Sequence, residues 1–166
     1  NILRGVAPLV EAGLVRLWLC DPKGGMELGM LEGIAHRFAV TDEECIELLQ
    51  DAHDSMKAKA ALARVKFGRK VTTASRDFPL DLVIIDELAS LTDNRTIGRD
   101  VEELTSKIAR QGRAPAVTLV SCTQDPRAKV IPNRSAYTQA VALRLSEAIE
   151  TDMMKTEITA SWRDPI

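Results

Sequence analysis

The chain has 166 residues, of which 45% are hydrophobic and 28% are charged, and its formal net charge is −2. This composition excludes a disordered chain and suffices for one domain with a sizeable core. The apolar runs are much shorter than the roughly 20 residues that span a bilayer, and no signal-peptide pattern is present, so we expect no membrane segment. The charge balance does not suggest a dedicated nucleic-acid coat, but it is compatible with a local basic face.

The three cysteines, Cys20, Cys45 and Cys122, are far apart in the sequence, and each lies in or directly after a mainly apolar segment. This pattern is typical of small buried side chains in a reducing compartment. Neither His36 nor His53 has a cysteine or histidine partner at the spacing of metal ligands. The sequence therefore indicates no metal site built from cysteine and histidine.

The first part of the chain predicts a helix followed by a strand. Residues 1–12 have the apolar spacing of a helix, and Gly13 is typical of a helix C-terminal end. Residues 14–20 then form a strand, which stops before Asp21-Pro22 because proline cannot continue a ladder. The glycines that follow favour a loop.

A long second helix is expected from Thr41 to about Arg64. Thr41 can cap this helix, and Glu44 lies three residues later, where its side chain can reach back to the capping residue. Apolar residues then recur at helical spacing. Residues 66–80 are expected to form an irregular connection.

The second half of the chain alternates strands with helices. A strand is predicted over 81–86, and it is apolar on both faces, as in a central parallel strand covered by helices on each side. The other predicted elements are a loop over 90–98, a helix over 100–110, a strand over 117–121, a candidate strand over 139–145 and a short helix over 146–154. This alternation indicates an α/β fold with a mostly parallel sheet.

Asp86 and Glu87 lie at the carboxyl end of the strand predicted over 81–86, where parallel sheets bind their ligands. One such carboxylate can hold Mg²⁺, usually through water, and the ion neutralises charge on a transferring phosphoryl group. The second carboxylate can orient or deprotonate the attacking water. The alternative is an acidic pair that only caps the next helix.

Two further segments are expected to meet the same edge of the sheet. Gln124 follows the strand over 117–121 and could hydrogen-bond a γ-phosphate or the attacking water; the alternative is a polar strand end without a ligand. Asp21 and Lys23 follow the first strand and could line the same edge; the alternative is a structural turn.

The sequence contains no GxxxxGK[ST] motif, the loop whose backbone amides and lysine cradle phosphates. The nearest cluster, Gly68-Arg69-Lys70, has the wrong spacing, and no strand precedes it. We therefore expect this chain alone to bind nucleotide weakly at best.

Four motifs follow one another in a definite order along the chain. They are DPKGGMEL over 21–28, LVIIDELASL over 82–91, QGRAPAVTLVSCTQDP over 111–126 and ALRLSEAIETDMM over 142–154. Together they resemble the motor domain of the FtsK/SpoIIIE family of DNA translocases, and most of all its actinobacterial branch, which includes plasmid-transfer proteins. The resemblance covers residues 1–154, whereas the tail over 155–166 does not resemble the family.

The resemblance implies an N-terminally truncated RecA-like P-loop NTPase core with helices on both faces of a mostly parallel sheet. It also implies ATP with Mg²⁺ as cofactors. In the family pattern Asp86 matches the Walker B residue that holds Mg²⁺ through water, Glu87 matches the catalytic residue that activates water, and Gln124 matches the polar sensor. The family's phosphate loop precedes a helix like that over 1–12, so we expect a fragment that starts downstream of the loop and is inactive alone.

One departure from the family concerns an arginine that relatives offer to the ATP of a neighbouring subunit. This chain has Gln139 or Ala140 at the corresponding place. Arg134 or Arg144 could substitute for it.

The partners that the resemblance implies are double-stranded DNA and further copies of the chain in a ring, usually a hexamer. Contact with the DNA backbone requires lysine and arginine. The candidates for this contact are Lys66, Arg69, Lys70 and Arg113. The full-length protein is expected in the cytoplasm or at the cytoplasmic face of the membrane.

The function expected from these features is that of part of an ATP-driven double-stranded DNA translocase, acting in chromosome segregation or conjugative DNA transfer. Two alternatives remain open. One is a degenerate interaction module that docks on a ring without hydrolysing ATP. The other is a motor of the same family that moves proteins through a secretion complex.

Overall fold

The computed structural model describes residues 2–68, 73–124, 134–139 and 141. Within them, four parallel strands form one sheet in the order β2-β1-β3-β4. The strands are β1 (Val15–Cys20), β2 (Arg37–Ala39), β3 (Leu80–Ile85) and β4 (Val117–Ser121). The register pairs Cys20 with both Ala39 and Ile85, and Ile85 with Ser121, so all four strands end together at one edge of the sheet. We call this edge the carboxyl edge and the opposite one the amino edge.

Helices cover both faces of the sheet, as the sequence predicts. They are α1 (Ile2–Glu11), α2 (Asp42–Phe67), α3 (Leu88–Thr92) and α4 (Gly98–Gln111), with 3₁₀ helices at Gly29–Ile34 and Arg134–Ala136. Alternate residues of the central strands enter two apolar cores. Leu17 and Ile84 belong to the core beside α1, whereas Trp18 and Val83 belong to the core beside α2 and α4. Burial on both faces explains why β1 and β3 are almost continuously apolar.

The predicted capping box at the start of α2 is confirmed. The Thr41 side chain accepts a hydrogen bond from the Glu44 N–H at 3.2 Å, and the Glu44 carboxylate accepts one from the Thr41 N–H at 3.2 Å. The helix ends at Gly68, whose φ of +62° is the left-handed conformation that favours glycine. Because Asp42–Phe67 is one continuous helix, α2 reaches from the carboxyl edge, where β2 ends, to the amino edge.

Three local predictions are wrong. The loop predicted over 90–98 overlaps α3, the connection predicted over 66–80 begins only after α2 has continued to Phe67, and β2 has no counterpart in the sequence-based prediction. Both α3 and β2 are too short to show a hydrophobic period, and they are fixed by packing and by pairing with β1. The elements predicted over 139–145 and 146–154 lie outside the described residues, apart from 139 and 141, which belong to neither a helix nor a strand.

In the described part of the chain, no helix has both the length and the apolar character that crossing a bilayer requires.

Candidate functional site

Asp86 and Glu87 lie at the carboxyl edge, directly after the central strand β3. The backbone N–H of Asp86 donates to the Cys20 carbonyl at 2.9 Å, and that of Leu88 donates to the Cys122 carbonyl at 2.9 Å. Asp86 is half-buried, and Glu87 is buried with 7% exposure. The two acids therefore sit on backbone that is hydrogen-bonded to both neighbouring strands, which orients them more rigidly than a free loop would.

Glu87 is held at both of its carboxylate oxygens. Lys23 Nζ lies 3.6 Å from Oε2, and the backbone N–H of Gln124 donates to Oε1 at 3.3 Å. Glu87 immediately precedes α3, yet its side chain makes no capping hydrogen bond to that helix. The geometry therefore does not support the alternative in which this acid only caps the next helix.

Gln124 reaches the site through its backbone rather than through its side chain. Residue 124 is exposed, and the contact with Glu87 is made by its backbone N–H. The end of β4 is thus brought to the end of β3, as the sequence predicts for parallel strands. The sensor role of the Gln124 amide group stays a prediction.

The turn after β1 brings Lys23 to the same edge. Asp21 is buried with 0% exposure, and its carboxylate accepts hydrogen bonds from the backbone N–H groups of Lys23, Glu27 and Leu28 at 3.3, 2.8 and 2.9 Å. Asp21 therefore serves the turn, as the structural alternative for this segment states, whereas Lys23 lines the site.

Negative charge accumulates around Asp86. Burial raises its pKa, and the surrounding carboxylates of Asp21, Glu27 and Glu87 raise the pKa further. The ammonium group of Lys23 acts in the opposite direction. A cation beside Asp86 would relieve this repulsion.

The donor set at this edge fits Mg²⁺ better than an ion enclosed by protein ligands. The described residues contain no group of three or more His, Cys, Asp or Glu side chains that could hold a metal ion. Mg²⁺ keeps several waters and commonly binds through one or two carboxylates together with substrate phosphates. The half-buried Asp86 is a carboxylate that could bind Mg²⁺ in this way.

Cys122 also lies at this edge, where the residue is exposed, so the prediction that all three cysteines are small buried side chains is wrong for Cys122. It directly follows β4, and its pKa is raised because part of the thiol is shielded from water, and then by the negative charges of Asp86 and Glu87. Because Cys122 directly follows the strand predicted over 117–121, the sequence does indicate that it lies at the carboxyl end of that strand.

A second buried acid, Asp81, lies in β3 near the amino edge. Its carboxylate accepts hydrogen bonds from Arg16 Nε at 2.6 Å, Arg16 Nη2 at 2.8 Å and Ser55 Oγ at 3.1 Å, and Lys59 Nζ lies 3.2 Å away. Burial alone would raise the pKa of Asp81, but the hydrogen bond from Arg16 and the charge of Lys59 hold it below its ordinary value. We call these four residues the Asp81 network.

The candidates for DNA contact lie far from the carboxylates where they are described. Lys66 lies in the last turn of α2 with its Nζ 4.0 Å from Asp77, and Arg113 is exposed between α4 and β4. Both positions are at the amino edge. Arg69 and Lys70 lie outside the described residues.

Two arginines, Arg134 and Arg144, are the candidates for contact with the ATP of a neighbouring subunit. Arg144 lies outside the described residues, whereas Arg134 begins the 3₁₀ helix Arg134–Ala136. That helix is connected to the sheet by a hydrogen bond of 2.7 Å between the hydroxyls of Tyr137 and Ser121, the last residue of β4. The backbone of this segment therefore lies near the carboxyl edge.

No family model matches the sequence. The chain is 27% identical to DNA translocase FtsK 2 of Ralstonia nicotianae, over 85% of this chain and 22% of the relative. It is 25% identical to DNA translocase FtsK 2 of Neisseria meningitidis, over 82% of this chain and 16% of the relative. The chain therefore spans less than a quarter of the length of these curated relatives.

Two solved structures are similar to the fold. The monomer form of the pCW3 conjugation coupling protein TcpA with ATPγS has a TM-score of 0.62 and 26% identity, over 80% of this chain and 42% of that one. The cytoplasmic domain of the Type VII secretion ATPase EccC of Thermomonospora curvata has a TM-score of 0.67 and 20% identity, over 93% of this chain and 19% of that one. The second likeness concerns the fold alone.

The parallel sheet with helices on both faces, and with acids at the end of its central strand, has the fold of a P-loop ATPase core. Within this class, the chain is a relative of the FtsK/SpoIIIE-type DNA translocases, and the resemblance that the four motifs carry is confirmed.

Proposed function

We propose that this chain is part of an ATP-driven translocase of double-stranded DNA of the FtsK/SpoIIIE type. The observation that best supports this is the meeting of Asp86, Glu87, Lys23 and the Gln124 backbone at the carboxyl edge. Phosphoryl transfer from ATP to water needs a metal site and a fixed group that orients the water. The half-buried Asp86 and the clamped Glu87 fit these two requirements.

The two carboxylates would have different roles in hydrolysis. Asp86 would hold Mg²⁺ through water, and the bound ion would neutralise charge on the phosphoryl group. Glu87, fixed at both oxygens, would orient the attacking water and accept its proton. The phosphate cradle is a GxxxxGK[ST] loop that this sequence does not contain, so we expect turnover only in a protein that carries such a loop before this chain.

Duplex DNA would contact basic residues at the amino edge. Lys66 and Arg113 are exposed there, and Arg69 and Lys70 follow α2 in the sequence. Such contacts go to phosphates and carry no base specificity. A ring of subunits, usually a hexamer, would surround the duplex, and Arg134 or Arg144 would reach the ATP of a neighbour.

Substitution of each carboxylate tests the proposed hydrolysis. The assays use a protein that carries this chain behind a phosphate loop. Asp86→Ala should abolish turnover, and Glu87→Gln should leave Mg²⁺–ATP binding intact while lowering kcat by at least about 100-fold. The control is Glu103→Gln, which removes an equivalent charge from an exposed acid on α4. Normal turnover by Glu87→Gln would contradict its assignment.

The same preparation separates the alternatives. If the loop-bearing protein shows no Mg²⁺–ATP affinity, the chain is a degenerate interaction module rather than an ATPase. If it hydrolyses ATP and duplex DNA does not stimulate it, the protein-moving motor is favoured instead.

DNA contact is tested by the double variant Lys66→Gln, Arg113→Gln. Removal of two phosphate contacts should weaken duplex binding and make it less dependent on salt, by about two in the slope of log K against log salt. The measurement is a titration of labelled duplex at several salt concentrations. An unchanged slope would exclude these two residues.

A further inference from the structure

We propose that Lys23 is a positioning residue for Glu87, and that the turn after β1 is built to deliver its ammonium group to the Glu87 carboxylate. The proposal rests on the function proposed above, because it assigns a role in the hydrolysis attributed there to Glu87. Lys23 Nζ lies 3.6 Å from Glu87 Oε2, across the gap between the ends of β1 and β3.

Several contacts restrict the backbone of the turn that contains Lys23. Asp21 is buried at its base, and its carboxylate accepts three backbone N–H groups from the turn that contains Lys23. Gly24 and Gly25 have φ of +73° and +77°, a conformation that other residues rarely adopt. A Cβ at Gly25 would also lie 3.1 Å from both Phe38 and Val40, so a side chain there would crowd β2 and its end. The path of the chain around Lys23 is therefore narrowly determined.

The Lys23–Glu87 pair differs from an ordinary surface ion pair, because only one of its two partners is exposed to water. The Lys23 side chain is 43% exposed, and a pair in which both charges were that exposed would contribute little to folding. A comparison with Lys107, which is 40% exposed and pairs with Glu103 one helical turn away, makes the difference clear. Glu103 is itself 59% exposed, whereas the Glu87 side chain is only 10% exposed. Lys107 pairs with an acid that water also reaches, and Lys23 pairs with one that water hardly reaches.

The consequence for hydrolysis follows from the two-point contact. The backbone N–H of Gln124 donates to Oε1, and the ammonium group of Lys23 lies 3.6 Å from Oε2, so each oxygen of the carboxylate has a partner that restricts its rotation. Without Lys23, the carboxylate could rotate about its single remaining contact. A catalytic group displaced by about 1 Å loses much of its rate advantage, whereas substrate binding by other groups is unaffected. Loss of Lys23 should therefore lower kcat and leave KM for ATP nearly unchanged.

The first test uses this chain as it stands and needs no turnover. The backbone N–H of Gln124 donates to Glu87 and therefore reports on the position of that carboxylate. Its NMR resonance and hydrogen-exchange rate are compared in three variants. Lys23→Met should move the resonance and raise the exchange rate severalfold, Lys23→Arg should keep both near the original values, and the control Lys107→Met should change neither. If Lys23→Met behaves like Lys107→Met, the positioning role is overturned.

The second test uses the loop-bearing protein. Lys23→Met should lower kcat about tenfold with KM for ATP changed less than twofold, and Lys23→Arg should restore most of the rate. An unchanged or faster Lys23→Met enzyme would overturn the proposal, because Lys23 would then be idle or would restrain Glu87. If the unsubstituted protein itself fails to hydrolyse ATP, the proposed function fails, and the amide measurement still decides whether Lys23 positions Glu87.

Discussion

A buried acid lies near each end of strand β3, Asp81 within the strand and Glu87 just after it, and the two acids have very different partners. Near the amino edge, Asp81 accepts hydrogen bonds from two side chains and lies 3.2 Å from Lys59 Nζ. Lys59 Nζ donates in addition to the carbonyls of Pro79 and Ala116, at 2.6 and 3.0 Å. At the carboxyl edge, the only positive charge paired with Glu87 among the described residues is Lys23, at the longer distance of 3.6 Å.

Burial of an acid therefore does not by itself mark a functional site. The pKa of Asp81 is held low by its donors, so its negative charge is already compensated within the fold. The pKa of Asp86 is raised by burial and by other carboxylates, so its charge is left without full compensation. An acid of the first kind stabilises the protein, and one of the second kind retains the capacity to bind a cation.

The largest effect is expected from breaking the Asp81 network. Asp81→Ala leaves the buried Lys59 and the guanidinium of Arg16 without their counter-charge, which should lower the free energy of unfolding by about 3–5 kcal/mol. The measurement is the urea unfolding midpoint at neutral pH. Asp86→Ala is the matched change at the other end of β3, and it should cost far less.

A compensated variant sharpens this prediction and covers the case in which Asp81→Ala does not fold. Replacing Asp81, Arg16 and Lys59 together with apolar residues removes all three charges, and it should recover much of the stability because no unpaired charge is left. If the triple variant were as unstable as Asp81→Ala, the loss would come from packing rather than from charge.

A smaller effect, of opposite sign, is expected at Asp86. Because its pKa is raised in the folded state, ionisation of Asp86 costs stability at neutral pH, and the cost disappears as the pH falls through the folded pKa toward the unfolded value near 4. Asp86→Asn should therefore stabilise the protein at pH 7 by less than about 1 kcal/mol and should give no gain near pH 4. Urea midpoints at the two pH values measure this difference.

Two comparisons control the Asp86 experiment. Asp81, whose pKa is lowered, contributes stability that is present above the unfolded pKa and lost as the pH falls through the folded pKa, so the unsubstituted protein should weaken below about pH 4. Glu103 also has a lowered pKa, through its hydrogen bond with Lys107, and Glu103→Gln should give no gain at pH 7. A gain in both acid variants would point to net charge rather than to the site.

The sequence is sufficient for three of the four strands, though not for β2, and for the acids at the carboxyl edge, because these depend on local patterns. The apolar runs of β1, β3 and β4 and the capping box of α2 can each be recognised within a few residues. The carboxylates at 86 and 87 then follow from the rule that parallel strands present their ends at one edge.

The partners of those acids could not be predicted, because they depend on contacts between distant segments. Arg16 and Asp81 are 65 residues apart, and nothing in the sequence near either residue indicates that they meet. The same holds for Lys23 and Glu87, which are joined only when β1 and β3 pair. Asp21 has the appearance of a site residue in the sequence, but its carboxylate is used by the backbone of the turn.

The smallest effect is expected at Cys122, whose thiol senses the charge of the carboxyl edge. Its pKa is raised by partial shielding of the thiol from water and by the charges of Asp86 and Glu87, so less thiolate is present at pH 8 than for a free cysteine. Glu87→Gln removes one of these charges and should increase the rate of alkylation by iodoacetamide about twofold. Mass spectrometry of the modified chain assigns the site, and Cys20 and Cys45, which are buried, should remain unmodified in the folded protein.

Glu103→Gln again serves as the control, since Glu103 lies on the exposed side of α4 and should leave the alkylation rate unchanged. An equal rate in Glu87→Gln and Glu103→Gln would mean that the Glu87 charge is already compensated, as the Asp81 charge is. The distinction between the two ends of β3 would then not extend to Glu87, and the cation-binding capacity of the carboxyl edge would rest on Asp86 alone.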